Sequence, residues 1–290
     1  MRFKIALVII CTLAMSFNVL LAQENNTVIV YDTFDIPMVF VPSGEATIGA
    51  ELLDVQESCE RLADDGIVRD ATECVRRLAN TVPEGIDWFV TPRQTVTLSN
   101  FFIDQTEVSI AQYQACVEDD VCSADVIQYL RDFSPFASVN EAIRYISYTD
   151  AETYCEWRGG FLPSATEWEY TARGNASYDF AWGNEFDGTR ANFCDVNCLS
   201  GNQSSQWDDG YAHIAPVDAQ SQDISWVGAL GMTGNVAEWT SSMSNIRGNE
   251  RVTKGGFYGS LPTGLFLWRQ LSLNDEEIRE GIGFRCAKRL

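Results

Sequence analysis

Histidine is almost absent, since His213 is the only imidazole in 290 residues. That excludes a multi-histidine zinc or iron centre within one chain, and it leaves a Ser-His-Asp triad with one possible base. Positive charge is scarce as well, with 20 Lys+Arg against 41 Asp+Glu and a formal charge of -21. Such a chain repels DNA, RNA and anionic lipid, whose binding needs clustered Lys and Arg, so nucleic-acid binding is excluded. Internal repeats, low-complexity tracts and Pro/Ser linkers are missing, and no long apolar run follows the first residues. These absences favour one domain and no membrane span beyond the leader. What is present is 46% hydrophobic residues, enough for a sizeable core.

Arg2 and Lys4 precede a largely apolar run from Ile5 to Met15, and Ala22 closes Leu20-Leu21-Ala22. The pattern predicts a signal peptide over 1–22, cleaved before Gln23, and a secreted or extracytoplasmic domain over 23–290. Ser16 and Asn18 interrupt the run, against a membrane helix, and Ile10 rather than a small residue precedes Cys11, against a lipid anchor. Losing Cys11 with the leader leaves Cys59, Cys74, Cys116, Cys122, Cys155, Cys194, Cys198 and Cys286. An even set in an exported chain predicts a disulfide framework. Proximity favours Cys59 with Cys74, Cys116 with Cys122 and Cys194 with Cys198, leaving Cys155 and Cys286 for each other. Cys194 and Cys198 could instead be half of a thiolate metal site, but no second close pair or histidine completes it.

Residues 35–49 read as a hairpin, with Met38-Val39-Phe40-Val41 turning at Pro42-Ser43-Gly44-Glu45 into Ala46-Thr47-Ile48-Gly49. Residues 51–80 are charged and carry the Cys59/Cys74 couple, which predicts an inserted helical excursion pinned by its own bridge. Strand character resumes in Thr95-Val96-Thr97-Leu98 and Phe101-Phe102-Ile103. Three helix starts place Ser or Thr three residues before Gln or Glu, at Ser109/Gln112, Thr149/Glu152 and Ser164/Glu167, so that paired side chains satisfy free backbone N–H groups. The second helix is expected to stop at Gly159-Gly160 and the third at Gly174, where glycine accepts a left-handed cap. Beyond Gly174 the pattern is loop with a few strands.

Ordered blocks then carry a resemblance. Phe40-Val41-Pro42-Ser43-Gly44, Phe102-Ile103-Asp104-Gln105-Thr106-Glu107-Val108-Ser109 and Ala151-Glu152-Thr153-Tyr154-Cys155-Glu156-Trp157 come first. They are followed by Leu162-Pro163-Ser164-Ala165-Thr166-Glu167-Trp168-Glu169-Tyr170, Trp182-Gly183-Asn184, Gly234-Asn235-Val236-Ala237-Glu238-Trp239-Thr240 and Gly281-Ile282-Gly283-Phe284-Arg285-Cys286. From Phe40 to the C-terminus the chain resembles the formylglycine-generating enzyme (sulfatase-modifying factor) domain. The resemblance implies an α+β, C-type-lectin-like fold, loop-rich, with short irregular sheets and two or three helices. It also implies a bridge from the second helix to the terminal strand, in agreement with Cys155–Cys286.

Catalytic members of that family hold copper through two cysteines in a Gly-Gly-Ser-Tyr-x-Cys segment, the second five residues after the first. Here Gly255-Gly256-Phe257-Tyr258-Gly259-Ser260 puts Ser260 at the first position and Leu265 at the second. Cu(I) requires soft ligands, so the family's oxidase chemistry is not expected. The resemblance also implies a calcium site at Asn192, Phe193, Asp209 and Tyr211, all oxygen donors by side chain or carbonyl. A second, weaker site keeps Gly234, Val236 and Glu238 but has Gly231 at its first side-chain position. Without the resemblance, Asn192 and Asp209 read as turn residues.

Blander readings cover the rest. Trp157, Trp168, Trp182 and Trp239 read as packing aromatics, Glu167 as a cap, and Glu169 as a solvent-facing or arginine-paired helix position. Asp208-Asp209 and Asp275-Glu276-Glu277 read as solvated acid runs, and His213 as a loop residue. The expected function is a secreted non-oxidase member that binds a protein, peptide or glycan. The alternative is an enzyme, either a divergent formylglycine-generating oxidase or another activity in the same cleft.

Overall fold

The computed structural model describes residues 27–80, 88–90, 92–198, 206–219, 221–244 and 250–290; the leader expected over 1–22 lies outside them. The strands are β1 (Ile29–Tyr31), β2 (Pro37–Val41), β3 (Gly44–Ile48), β4 (Trp88–Val90), β5 (Gln94–Leu98), β6 (Phe101–Asp104), β7 (Ala237–Met243), β8 (Glu250–Lys254), β9 (Arg269–Asn274), β10 (Ile282–Gly283) and β11 (Ala287–Lys288). The helices are α1 (Leu52–Asp64), α2 (Ala71–Asn80), α3 (Ile110–Glu118), α4 (Ala124–Phe133), α5 (Tyr148–Trp157) and α6 (Ala165–Arg173). The strands form a four-stranded sheet β1-β2-β6-β11, a five-stranded sheet β10-β7-β8-β9-β4 and the pair β3-β5.

The hairpin expected over 35–49 is not formed. Both edges of β2 are occupied, by β1 and β6, so β3 has no edge of β2 to join and pairs with β5 instead. Met38, Val39 and Val41 are buried to match that central position. The helix count also exceeds the two or three expected. Residues 51–80 supply α1 and α2, joined by Cys59–Cys74, and α4 follows an N-cap at Ser123 that lacks a Glu or Gln three residues on.

Capping boxes start α3 at Ser109/Gln112 and α6 at Ser164/Glu167. Helix α5 begins earlier than Thr149/Glu152 predicted: Ser147 caps it, accepting from the Asp150 N–H at 3.1 Å. Its end at Arg158 is followed by Gly159 with φ +73°, a left-handed stop that glycine takes without Cβ strain. Helices α3, α4 and α5 bury Tyr113, Leu130 and Tyr154 in a core that also holds Trp239 of β7 and Phe284. Trp168 and Tyr170 of α6 share a second core with Val39 and Ile103. Val55, Leu62 and Leu78 of α1 and α2 enter a third, with Phe193, Leu265, Phe266 and Trp268. Cys155 of α5 is bridged to Cys286 across 131 residues, and Cys116–Cys122 and Cys194–Cys198 close short loops.

Candidate functional site

The loop after β8 carries the two positions at which the resemblance would place copper thiolates. Ser260 Oγ accepts the Phe257 N–H at 3.0 Å, the Ser260 N–H returns to the Phe257 carbonyl at 2.8 Å, and the Ser260 carbonyl accepts from Cys194 N–H at 2.9 Å. Ser260 is therefore a buried turn residue with its hydroxyl engaged. Leu265 is fully buried, and it lies so close to Gly256 (φ +74°) that a Cβ there would come within 2.9 Å of Leu265 Cδ2. The Phe257 ring lies over Gly259 and Gly281, where added Cβ atoms would fall 2.6 and 2.4 Å from it. Among the described residues all eight cysteines are in disulfides. These residues do not fit copper: the soft donors are absent and an isobutyl group packs in their place.

Asn192, Phe193, Asp209 and Tyr211 are brought together. Asp209 Oδ2 accepts from Phe193 N–H at 3.1 Å and Oδ1 from Tyr211 N–H at 2.8 Å. Asn192 is fully buried, and its amide nitrogen donates to the His213 carbonyl at 2.8 Å and to Asn235 Oδ1 at 3.0 Å. Those bonds fix which way the amide faces and leave Asn192 Oδ1 without a partner among the described residues. Burial, with Asp195 nearby, pushes the Asp209 carboxyl up to about 6 against the two backbone donors that favour its charge. The free amide oxygen of Asn192 and the carboxylate of Asp209 are hard oxygen donors of the type calcium takes. No three His, Cys, Asp or Glu side chains group around a metal position among the described residues, so carbonyl and amide oxygens would complete the shell.

The second set does not fit. Glu238 is taken by Arg285, whose Nε and Nη2 donate to its two oxygens at 2.7 and 2.8 Å, and Trp168 Nε1 donates to the same carboxylate at 2.8 Å. Arg285 also donates to the Leu230 and Gly231 carbonyls at 2.9 and 3.1 Å. A guanidinium thus satisfies the carboxylate that the resemblance assigns to an ion. Gly234, with φ +91°, sits against Asn192; a Cβ there would meet the Asn192 carbonyl oxygen at 2.2 Å. Val236 is buried in a small core with Ala142 and Ile214.

Local spacing could not reveal three neighbours of these sets. Asn235, in the left-handed region at φ +58°, joins them, its amide nitrogen donating to Glu107 Oε1 at 2.9 Å. Glu107 Oε2 and Asp223 Oδ1 are buried and have no partner among the described residues. Burial pushes Glu107 up to about 7 and Asp223 to about 8.

Trp168 and Trp239 are fully buried, and Trp157 and Trp182 pack at core margins. Glu167 caps α6 and pairs with Arg289 at 2.5 Å. Glu169 is not solvent-facing: it is buried between Arg173 at 2.5 Å and Lys254 at 2.8 Å. Against the burial that opposes its charge, Lys254 and Arg173 hold its carboxyl below the ordinary range. Asp209 is half-buried rather than solvated, while Asp208 is exposed. His213 is an exposed loop residue 3.9 Å from Glu280. Just past Ser260, an open groove of about 510 Å³ runs between the start of α2 and the next turn, lined by Ile67, Val68, Arg69, Arg77, Leu261 and Pro262.

Residues 33–290 match a sulfatase-modifying factor enzyme 1-like domain. An "Inactive C-alpha-formylglycine-generating enzyme 2" from Bos taurus is 29% identical over 164 residues, 53% of this chain and 53% of its own. A "Formylglycine-generating enzyme" from Mus musculus is 30% identical over 166 residues, 51% of this chain and 44% of its own. The chain thus spans about half the length of the curated relatives it matches. The solved structure of PvdO from Pseudomonas aeruginosa is similar in fold, with a TM-score of 0.59 at 19% identity, covering 93% of this chain and all of that one.

Proposed function

The chain belongs to the sulfatase-modifying factor enzyme 1-like domain family, and we propose that it is an exported, calcium-stabilised binding member that does not carry out copper oxidation. The observation that carries this reading is the pair at the copper positions: a leucine buried among Phe193, Phe266 and Trp268, and a serine whose hydroxyl is engaged in its own turn. The similarity to a relative named as inactive supports it. The leader pattern and four disulfides support export, and no helix among the described residues is long and apolar enough to cross a membrane.

The groove beside Ser260 is the surface we assign to a protein, peptide or glycan ligand. Its walls are apolar at Ile67, Val68, Leu261 and Pro262, with Arg69 exposed at the rim. Asp70, Glu73 and Arg77 add charged groups to that lining, so a ligand there would need polar as well as apolar contacts. Copper uptake measured together with turnover of a Cys-x-Pro-x-Arg peptide tests the reading. We expect neither stoichiometric copper nor aldehyde by mass spectrometry. Aldehyde that depends on copper and oxygen, and is absent from a heat-inactivated control, would overturn it.

A further inference from the structure

Helix α4 buries Val126, Ile127 and Leu130 and leaves its other face to solvent. Tyr129 and Phe133 are four residues apart, so they stand on one flank of the helix, and their rings are stacked at 4.4 Å. A third ring joins them from outside the helix: Tyr145 lies 5.3 Å from Tyr129 and 6.0 Å from Phe133. Tyr145 holds that place at φ +54°, a left-handed backbone that a bulky side chain seldom takes, and its N–H donates to the Arg279 carbonyl at 3.1 Å.

The rest of the chain does not cover these rings. Phe133 is 60% exposed, and Phe136, in the turn closed by the Ala137 N–H on the Ser134 carbonyl, is 98% exposed. Val139 is exposed as well. Single exposed apolar residues are ordinary, but an aromatic group gathered at one end of a helix marks an interaction surface.

The charge around the rings selects the partner. Between residues 118 and 141 six carboxylates stand against Arg131 alone, and there is no lysine. The Tyr145 bond to Arg279 brings the neighbouring Glu280, half-buried, to the edge of the group. A second copy of this chain would set two formal charges of -21 against each other, and an anionic lipid surface would be repelled as well. A neutral glycan would use the rings and gain nothing from the carboxylates. Lys and Arg gain from both, since their cations pair with carboxylates and lie over aromatic faces, as Arg251 lies over Tyr148 at 4.1 Å.

We propose that Tyr129, Phe133, Phe136 and Tyr145 dock a basic segment of a partner protein, one that alternates Lys or Arg with apolar side chains. The surface shares no residue with the groove beside Ser260 and depends on no bound ion. The probe is a fluorescein-labelled helical peptide of Lys and Leu, titrated against the full chain by fluorescence anisotropy. Two twins, with Glu for Lys and with Ser for Leu, are run beside it.

Wild type is expected to bind the Lys/Leu peptide at least about tenfold more tightly than Phe133→Ser/Phe136→Ser does, the loss of a hot-spot contact. Leu53→Ser, at a similarly exposed position of α1, is expected to bind as wild type does. Binding weakens as sodium chloride is raised, and each twin binds about tenfold more weakly. Equal affinity of wild type and the double variant, or an equal loss in Leu53→Ser, would overturn the proposal, because only attraction to an acidic surface would remain. So would a twin that binds as well as the Lys/Leu peptide, or a wild type that binds none of it. A wild-type dimer in sedimentation velocity, dispersed by Phe133→Ser/Phe136→Ser, would overturn it in favour of a second copy. Should the double variant fail to fold, judged by circular dichroism, Phe136→Ser alone decides. A loss of about threefold or more then supports the surface, and a smaller one removes it.

Discussion

Arg285 answers to more carboxylates than it can neutralise, and substitutions around it read differently from those at the surface. Its bidentate pair with Glu238 is fully buried. Removing one partner of such a pair leaves a desolvated charge, so Glu238→Gln is expected to cost about 3 to 5 kcal/mol, measured by urea unfolding. A cost below about 1 kcal/mol, the scale of an exposed pair, would mean that the pair is solvated. The acids that Arg285 does not pair set the pH response of calcium-free protein. Burial raises Glu107 to about 7 and Asp223 to about 8, and the half-buried Asp209 to about 6. A carboxyl raised on folding binds more protons in the native than in the unfolded state, so stability falls as pH climbs through these values. Asp32 and Glu169 are shifted the other way and complete their titration at lower pH. In chelator, the melting temperature is therefore expected to be higher at about pH 5.5 than at about pH 8. A melting temperature that rises over that interval would contradict the buried, unpaired state of these acids.

At the scale of elements, the bridge from α5 to the residue before β11 joins the first core to the closing strand of the four-stranded sheet. Cys286→Ser is expected to lower stability by roughly 2 to 5 kcal/mol, read from the shift in denaturant midpoint at unchanged slope. The capping boxes of α3 and α6 and the glycine stop of α5 were legible because each is decided within a few residues. Helix α4 was not, since Ser123 caps it by accepting from the Asp125 N–H at 3.2 Å, without the reciprocal Glu or Gln that marks a box. Its Val126, Ile127 and Leu130 lie on one buried face, the weaker signal that could have located it. Helix α5 starts two residues before the Thr149/Glu152 pair because Ser147 and Asp150, bonded at 2.6 Å, take the cap. The strands at 37–48 do not form a hairpin for a longer-range reason: β6, some sixty residues on, claims the edge of β2 that a hairpin needs.

For the molecule as a whole, calcium should act as a folding ligand. An ion that binds only the native state raises the melting temperature in proportion to its saturation, so millimolar Ca²⁺ is expected to raise it. Asp209→Ala should remove the part of the shift due to the Asn192/Asp209 loop. An unchanged melting temperature with and without chelator, in protein shown to be metal-free, would count against any native-state site. The acidic excess, a formal charge of -21, adds self-repulsion that divalent cations and salt both relieve. Sodium chloride at matched ionic strength is therefore the control that separates screening from a bound ion.

Family membership, the mixed α+β class, the helix starts at Ser109 and Ser164 and the serine and leucine at 260 and 265 are properties of the chain as written. Each depends on which residues occur, or on contacts across a few positions. The fate of the carboxylates is of another kind. Glu107 lies in the run after β6, Asp223 in a loop, Glu238 on β7 and Arg285 between β10 and β11. Nothing local to any of them says that they meet, that Glu238 is neutralised by a guanidinium, or that Glu107 and Asp223 keep free oxygens. Charge pairing in a buried site is settled by which segments are packed together and by how much water is excluded. Both follow from the closing of the sheets and the Cys155–Cys286 bridge, so only the tertiary structure could decide them.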